Sequence, residues 1–176
     1  MGIEETSQED GLEQFSTFEE NALAKPRHFF RRSGLPTVAD DSGLAVRALG
    51  GKPGVHSKRW SDRADLTGQA LDDENNRLLL AALANEADRT AWYVCVAAYV
   101  DGEAEFVSRG EVYGSIATSA SGTNGFGYDP YFVSDELGCT FGAATRDVKE
   151  LVSHRGRAFR ALISTLESYW NERVGS

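Results

Sequence analysis

Two adjacent carboxylates lie between a short apolar segment and a hydroxyl-glycine pair in Val38-Ala39-Asp40-Asp41-Ser42-Gly43-Leu44. The pattern indicates a strand end that turns sharply and presents acids to a cleft, where a divalent cation could bind between protein and phosphate oxygens. Asp-Asp-Ser-Gly is also ordinary turn chemistry. This segment alone therefore leaves open a metal-binding turn and a purely structural turn.

Three further segments combine residue types that bind phosphates, metals or aromatic rings. A glutamate follows a threonine at the spacing of a helix capping box in Thr17-Phe18-Glu19-Glu20-Asn21-Ala22. A glycine-rich loop carries an aromatic ring and an acid in Gly125-Phe126-Gly127-Tyr128-Asp129-Pro130. In Ser153-His154-Arg155 the serine is a candidate N-cap, which would place both basic residues in a first helical turn whose free N–H groups favour an acceptor. A solvated first turn is the alternative for that segment.

Composition and charge restrict the classes of function. The chain has 176 residues, of which 41% are hydrophobic, enough for one domain with a substantial core. A net charge of −9 repels nucleic-acid backbones, so we expect no nucleic-acid partner. No apolar run has the length of a membrane span and no signal-peptide pattern opens the chain, so we expect no membrane partner and a cytoplasmic location. The two cysteines, Cys95 and Cys139, form no metal or disulfide pattern.

The elements that must position these segments follow from hydrophobic periodicity and turn residues. We interpret residues 1–16 as an acidic, mobile lead-in and residues 17–176 as one α/β domain with a mixed sheet. The pattern predicts helices over residues 17–32, 69–86 and from about Ser153 onwards, with a kink or an early end at Pro26. It predicts strands over 37–39, 91–100, 103–108 and 111–118, a hairpin turn at Asp101-Gly102, a glycine-rich loop over 121–130 and a short apolar segment over 131–133.

These motifs closely resemble the inosine triphosphate pyrophosphatase family when they are taken in order, together with Gly50-Gly51-Lys52-Pro53-Gly54-Val55-His56-Ser57-Lys58-Arg59. The resemblance extends from about Thr17 to the C-terminal helix. It implies hydrolysis of non-standard purine nucleoside triphosphates such as ITP, dITP and XTP to the monophosphate and pyrophosphate, with Mg²⁺ as cofactor. It also implies an elongated, two-lobed α/β fold with a mixed sheet and a central cleft, and a homodimer.

The resemblance also implies a role for each matching residue. Glu20 and Asp41 match metal ligands, and Asp41 also matches the catalytic base that activates water, supported by Asp40 and Lys25. The predicted substrate contacts are Ser42, Phe126, Gly127, Tyr128, Asp129, Lys149, His154 and Arg155. Among these, Lys149 and Arg155 would stabilise charge on the leaving pyrophosphate, and the aromatic loop and His154 would meet the base. Two alternatives stay open: Glu20 as a member of a capping box, and residues 126–129 as a tight turn with a buried phenylalanine.

The front of the chain departs from the family pattern. Members open with a strand and a Thr-Gly-Asn-x-x-Lys loop that holds phosphates, and this sequence contains no such loop. We therefore expect an N-terminally shortened fold with an exposed sheet edge, which a second subunit could cover. A smaller departure is Gly142-Ala143, where the family has Ala-Glu. The alternative function is a catalytically weak or inactive nucleotide-binding or protein-interaction module of the same ancestry. A third hypothesis keeps the reaction and changes the base.

Overall fold

A four-stranded sheet and four α-helices make up the described part of the chain. The computed structural model describes residues 12 and 14–174, so most of the predicted lead-in, residues 1–16, lies outside the described residues. The strands are β1 Thr37–Val46, β2 Thr90–Val100, β3 Glu105–Ile116 and β4 Phe132–Ser134, and the helices are α1 Phe18–Ser33, α2 Gly68–Ala82, α3 Arg146–Val152 and α4 His154–Val174. Two 3₁₀ helices, Arg47–Leu49 and Gly54–Arg59, follow β1. Of the described helices, none combines the length and the apolar character that a membrane crossing requires.

The strands pair in chain order, β1-β2-β3-β4, and each pair is antiparallel. The α/β class is confirmed, and the sheet formed by the described residues is antiparallel throughout where a mixed sheet was expected. The predicted hairpin turn joins β2 to β3, and Asp101 holds it by accepting hydrogen bonds from the N–H groups of Glu103 and Ala104. Antiparallel strands can be joined by such a short turn, whereas a parallel pair needs a crossover of a dozen residues or more.

The first strand is much longer than predicted. The sequence pattern predicted a strand over 37–39 followed by an acidic turn, but all ten residues of β1 pair with β2. The residues after the acids continue the strand into the core, where Leu44 and Val46 are fully buried. The predicted turn at Asp40-Asp41 is therefore wrong. Pairing with the long apolar strand β2 outweighs the local turn preference of Asp, Ser and Gly.

Two other predicted breaks are also absent. α1 continues past Pro26 and ends at Ser33, followed by Gly34 in the left-handed conformation (φ 69°). An early end at the proline is therefore wrong, because burial of Pro26 and its neighbours offsets the one helix hydrogen bond that proline removes. β3 runs through Gly110 without interruption, where two strands were predicted. A Cβ at Gly110 would lie 2.2 Å from the backbone oxygen of His154, so this glycine lets α4 approach the sheet and does not break the strand.

Helices cover both faces of the sheet. On one face, α4 packs in a cluster formed by Cys95, Ala97, Tyr99, Ala158, Leu162 and Leu166. On the other face, α1 packs in a cluster formed by Ala22, Val94, Val96 and Ala98. Side chains alternate between the faces along a strand, so Asp40, which pairs with Ala97, faces α4, and Asp41, which pairs with Val96, faces α1. The two acids are adjacent in sequence and lie on opposite sides of β1.

A third buried cluster connects the glycine-rich loop to the sheet. Its buried members are Leu44, Val46, Leu79, Leu83, Ala91, Tyr93, Val112, Ile116, Tyr128, Phe132 and Phe141. They come from all four strands, from α2 and the residue that follows it, from the glycine-rich loop and from the segment after β4. Because Tyr128 belongs to this cluster, the loop is anchored in the same core that holds β1 and α2. That shared core brings the predicted motifs to one place.

Candidate active site

A cleft of about 960 Å³ brings together residues from β1, α2, the glycine-rich loop, α3 and the start of α4. Its volume lies within the range of sites that enclose small molecules. The predicted site residues that line it are Lys25, Asp40, Asp41, Ser42, Phe126, Gly127, Tyr128, Asp129, Lys149, His154 and Arg155. Glu20, which was also predicted, does not line the cleft. The fold therefore assembles motifs that are more than a hundred residues apart in the chain.

Asp41 is a buried acid of the cleft. Its side chain is 6% exposed, and Oδ1 lies 3.9 Å from Nζ of Lys25 on α1. Lys25 is buried as well, and its ammonium donates a 2.8 Å hydrogen bond to the backbone oxygen of Asp40. A buried charge needs an opposite charge or several hydrogen bonds nearby. α1 therefore supplies the cation that the carboxylate on β1 requires.

Asp40 connects β1 to α4 on the opposite face. Its Oδ2 accepts hydrogen bonds from Nη2 and Nε of Arg155, at 2.9 and 3.2 Å, and from the hydroxyl of Ser42 at 2.8 Å. Burial raises the pKa of this carboxyl, but the charge of Arg155 and these hydrogen bonds outweigh burial and hold the pKa below its ordinary value. Asp40 thus fixes the positions of Ser42 and Arg155, both predicted to contact substrate, and its supporting role in catalysis stays a prediction.

The donor set at this end of the cleft suits Mg²⁺. Within the described residues, no three His, Cys, Asp or Glu side chains are grouped as an all-protein cage. Mg²⁺ is usually held by one or two carboxylates together with phosphate oxygens and water, so a single buried carboxylate such as Asp41 fits it. Glu20 instead caps α1: its N–H donates to the Thr17 hydroxyl oxygen at 3.2 Å, and its carboxylate accepts from that hydroxyl at 2.7 Å. Metal binding by Glu20 stays a prediction.

The glycine-rich loop presents an aromatic ring to the cleft. Phe126 is 64% exposed, so the alternative of a buried phenylalanine in a tight turn is wrong. The ammonium of Lys149, on α3, lies 5.4 Å from the centre of this ring. Gly125 (φ 78°) is required next to it, because a Cβ there would lie 2.0 Å from Oδ2 of Asp129. An exposed ring on a loop held in this way is a surface on which a nucleobase can stack.

Asp129 lies at the centre of the hydrogen bonds of this loop. It is 2% exposed, and its Oδ2 accepts from the N–H of Phe126 at 2.8 Å and from the ammonium of Lys149 at 2.5 Å. The hydroxyl of Tyr93 donates to Oδ1 at 3.4 Å. These contacts place Lys149 at the aromatic end of the cleft, although the family resemblance assigned it to the leaving phosphates. Asp129 therefore orients both the ring and the cation at this end.

His154 begins α4 as a buried imidazole. The Ser153 hydroxyl oxygen accepts from the N–H of Gly156 at 3.0 Å, as expected of the predicted N-cap. The imidazole stacks on Tyr93, with ring centres 4.6 Å apart and an interplanar angle of 8°, so the alternative of a solvated first turn is wrong for His154. Burial, followed by the charges of Arg155 and Lys149, lowers the pKa of His154 to about 3, so the ring is neutral near pH 7. Its Nδ1 is buried and finds no hydrogen-bond partner in the described part of the chain.

Tyr128 closes the loop onto the 3₁₀ helix Gly54–Arg59. Its side chain is buried, and its hydroxyl donates to the backbone oxygen of Ser57 at 2.8 Å. The Ser57 hydroxyl oxygen in turn accepts from the N–H of Leu44 on β1 at 2.8 Å. A Cβ at Gly43 would lie 2.2 Å from the backbone oxygen of Gly54, so only glycine permits this approach. The motif over residues 50–59, which had no role assigned from sequence, thus ties β1 to the loop.

Sequence reasoning missed Tyr93 and two residues of α2. Tyr93 lies in an apolar strand, where nothing in the pattern separates it from a core residue. Asp72 accepts from the N–H of Gly127 at 2.7 Å, and Asn76 donates to the carbonyl oxygen of Gly127 at 2.9 Å. The signal that could have found this contact is the amide pair Asn75-Asn76 in a helix with an apolar face, because amides are seldom buried without a hydrogen-bonding reason.

Comparison with known proteins assigns this α/β fold and its cleft to the nucleoside triphosphate pyrophosphatases, which are hydrolases of acid anhydrides. The model of the Ham1 family matches residues 2–165, so the chain belongs to the Ham1 family. The resemblance recognised from the motifs is thereby confirmed.

Individual relatives agree with this assignment. A protein of Bordetella parapertussis named dITP/XTP pyrophosphatase is 42% identical over an alignment of 176 positions, which covers 96% of this chain and 82% of the relative. A protein of the same name from Mycolicibacterium paratuberculosis is 48% identical over 163 residues, which cover 91% of this chain and 78% of the relative. The solved structure of the Staphylococcus aureus Ham1 protein has a TM-score of 0.81 at 38% identity, and the match covers 89% of this chain and 80% of that one.

Proposed function

We propose that this enzyme hydrolyses non-standard purine nucleoside triphosphates, such as dITP, ITP and XTP, to the nucleoside monophosphate and pyrophosphate. The observation that carries the proposal is that one cleft joins the buried carboxylate of Asp41 to the exposed ring of Phe126. The carboxylate suits a metal-bound triphosphate, and the ring suits a base. The name shared by the two Ham1 relatives, dITP/XTP pyrophosphatase, supports the same class of substrate.

The base stacks on Phe126 beside two groups that can distinguish a 6-keto purine. The ammonium of Lys149 is a donor only, so it pairs with a carbonyl oxygen at C6 and opposes the amino group of adenine. The neutral ring of His154, which also lines the cleft, offers the second polar contact. Adenine in this position would leave donors facing one another without acceptors, which disfavours ATP.

The phosphates extend to the other end of the cleft, where Lys25 and Arg155 carry positive charge. Asp41 would hold Mg²⁺, and Glu20 would be a second ligand if its carboxylate left the Thr17 hydroxyl. Bound Mg²⁺ neutralises phosphate charge and makes a bound water more acidic. Asp41 accepts the proton of the water that attacks the α-phosphorus, and the bond to the bridging oxygen of the leaving pyrophosphate breaks. Arg155 stabilises the charge that develops on that leaving group.

The proposal also includes a homodimer in the cytoplasm, as expected from the sequence. A second subunit would cover the part of the outer edge of β1 that precedes Leu44, since the N–H groups of Leu44 and Val46 already bind the Ser57 hydroxyl and the backbone oxygen of Lys52. Sedimentation at micromolar concentration tests this part separately, and a stable monomer there contradicts it.

Pyrophosphate release from a panel of dITP, ITP, XTP, ATP and GTP, with and without Mg²⁺, tests the reaction. Metal-dependent release from the inosine and xanthosine nucleotides, without release from ATP, is the expected result. Release from all five at similar rates would refute the role of Lys149 and His154 in base selection. A folded protein that releases none would refute the reaction and favour the nucleotide-binding module.

A further inference from the structure

The loop that carries Phe126 is attached to α2 through the backbone N–H and the backbone carbonyl oxygen of Gly127. Asp72 Oδ2 accepts the N–H of Gly127 at 2.7 Å, and Asn76 Nδ2 donates to the carbonyl oxygen of Gly127 at 2.9 Å. The two side chains are four residues apart, so they lie on the same face of the helix. We call this pair of hydrogen bonds the Gly127 clamp.

A carboxylate also holds the neighbouring peptide. The N–H of Phe126 donates to Asp129 Oδ2 at 2.8 Å, so consecutive N–H groups of the loop bind carboxylates from two different parts of the fold. The backbone of Phe126 is thus fixed on both sides while its ring is 64% exposed. A loop that is already ordered loses little conformational entropy when a base stacks on it, and this preorganisation strengthens binding.

Stability alone does not explain the amide at position 76. Asn76 is 5% exposed and lies one turn before the fully buried Leu79. Its Oδ1 is buried and has no hydrogen-bond partner among the residues that the structure describes, which lowers the free energy of unfolding. Its Nδ2 donates to the backbone oxygens of Asp72 and Gly127. The amide nitrogen of Asn76 therefore makes all the hydrogen bonds that this side chain forms with the described residues, and its partner outside the helix is the carbonyl oxygen of Gly127 in the Phe126 loop.

We infer that Asp72 and Asn76 are positioning residues that hold the Phe126 loop in its base-binding conformation and so set the affinity for the purine. The identification of the ligand as a purine rests on the proposed function, whereas the two hydrogen bonds of the Gly127 clamp do not. Position 72 requires an acceptor, and position 76 requires a donor. Neither residue takes part in the chemical step.

Substitutions that remove or keep the acceptor at position 72, or remove the donor at position 76, test this requirement. Asp72→Ala and Asn76→Asp each remove one bond of the clamp, and we expect each to raise the KM for dITP about ten-fold with kcat nearly unchanged. Asp72→Asn keeps an acceptor oxygen, so we expect it to restore the KM to within about two-fold of the wild type. The matched control is Asp73→Ala, since Asp73 is exposed and accepts a hydrogen bond from Gln69 on the same helix. Unfolding of a variant would lower the amount of active enzyme, and therefore kcat, without changing the KM of the remainder.

Hydrogen exchange of the Gly127 amide, measured by NMR without nucleotide, separates this inference from the proposed function. We expect slow exchange in the wild type and at least about ten-fold faster exchange in Asp72→Ala, with the amides of β2 unchanged. Unchanged exchange in Asp72→Ala, or an equal rise in KM in Asp73→Ala, overturns the inference. A wild-type protein that releases no pyrophosphate refutes the proposed function instead, and the exchange rates then decide whether the clamp holds the loop.

Discussion

Replacing Phe126 by alanine separates nucleotide binding from folding. The ring is 64% exposed, and the backbone N–H that donates to Asp129 is present whatever the side chain. Substitutions at exposed positions usually change the free energy of unfolding by about 0.5 kcal/mol or less. For a chain of this size, that corresponds to a change of about 2 °C or less in the thermal midpoint. We therefore expect Phe126→Ala to fold as the wild type does.

The effect of this substitution on the substrate is expected to be much larger. Stacking of a base on an aromatic side chain contributes about 1–3 kcal/mol. That free energy corresponds to a factor of about 5 to 150 in affinity at room temperature. Because the base stacks equally in the ground state and in the transition state, the loss appears as a higher KM for dITP with kcat unchanged. Initial rates of pyrophosphate release over a range of dITP concentrations measure both constants.

Two further variants serve as controls for Phe126→Ala. Phe126→Trp keeps an aromatic surface and is expected to retain a low KM. Phe132→Leu changes a fully buried ring, so we expect a lower thermal midpoint with the KM of the wild type. If Phe126→Ala leaves the KM unchanged, or lowers the thermal midpoint as much as Phe132→Leu, then Phe126 is not the stacking surface and the assignment of the base end fails.

Three other measurements test the rest of the site. Asp41→Asn is expected to lower pyrophosphate release by more than about 100-fold, as for loss of a general base, while circular dichroism shows a folded protein; a rate near that of the wild type would exclude Asp41 as the base. Since burial lowers the pKa of His154 to about 3, NMR is expected to show a neutral imidazole from about pH 8 to about pH 5, and protonation near pH 6.5 would contradict its burial. The folded pKa of Asp40 lies below its unfolded value, so the stability from its contact with Arg155 is present above about pH 4 and is lost as the pH falls through the folded pKa. Thermal midpoints of Asp40→Asn are accordingly expected to depend less on pH in this acidic range, and a pH dependence equal to that of the wild type would refute the contact.

Elements with a strong local pattern could be predicted from the sequence. Both ends of β2 and the start of α4 were predicted within about one residue, because an apolar β-branched run and a helical stripe are properties of the segment itself. β1 and β3 could not be bounded in this way. The length of β1 depends on ten pairs with a strand about fifty residues away, and the continuity of β3 at Gly110 depends on the close approach of α4. Local turn residues gave the wrong boundary in both cases, because the deciding contacts are distant in the chain.

The same limit applies to the candidate site. Motif matching found residues that line the cleft, such as Phe126 and His154, because the types of side chain that meet a nucleotide are few. It missed Tyr93, which lies between Asp129 and His154, and the two residues of the Gly127 clamp. These residues position others through hydrogen bonds and stacking across long separations, and such contacts leave no fixed spacing in a sequence. A structure is therefore needed to identify the residues that position a site, whereas some of the residues that line it can be identified from sequence motifs.

The adjacent acids of β1 show how strand alternation divides the roles within one motif. In the predicted turn both carboxylates would lie side by side and repel each other, whereas in the strand Asp40 faces Arg155 and Asp41 faces Lys25. A shift of β1 by one residue would exchange the two acids between the faces and place each beside the other's partner. The bond from Leu44 N–H to the Ser57 hydroxyl, and the close approach at Gly43, oppose such a shift. The register of β1 therefore decides which of the two acids faces Lys25, and the 3₁₀ helix that fixes the register helps to position the candidate active site.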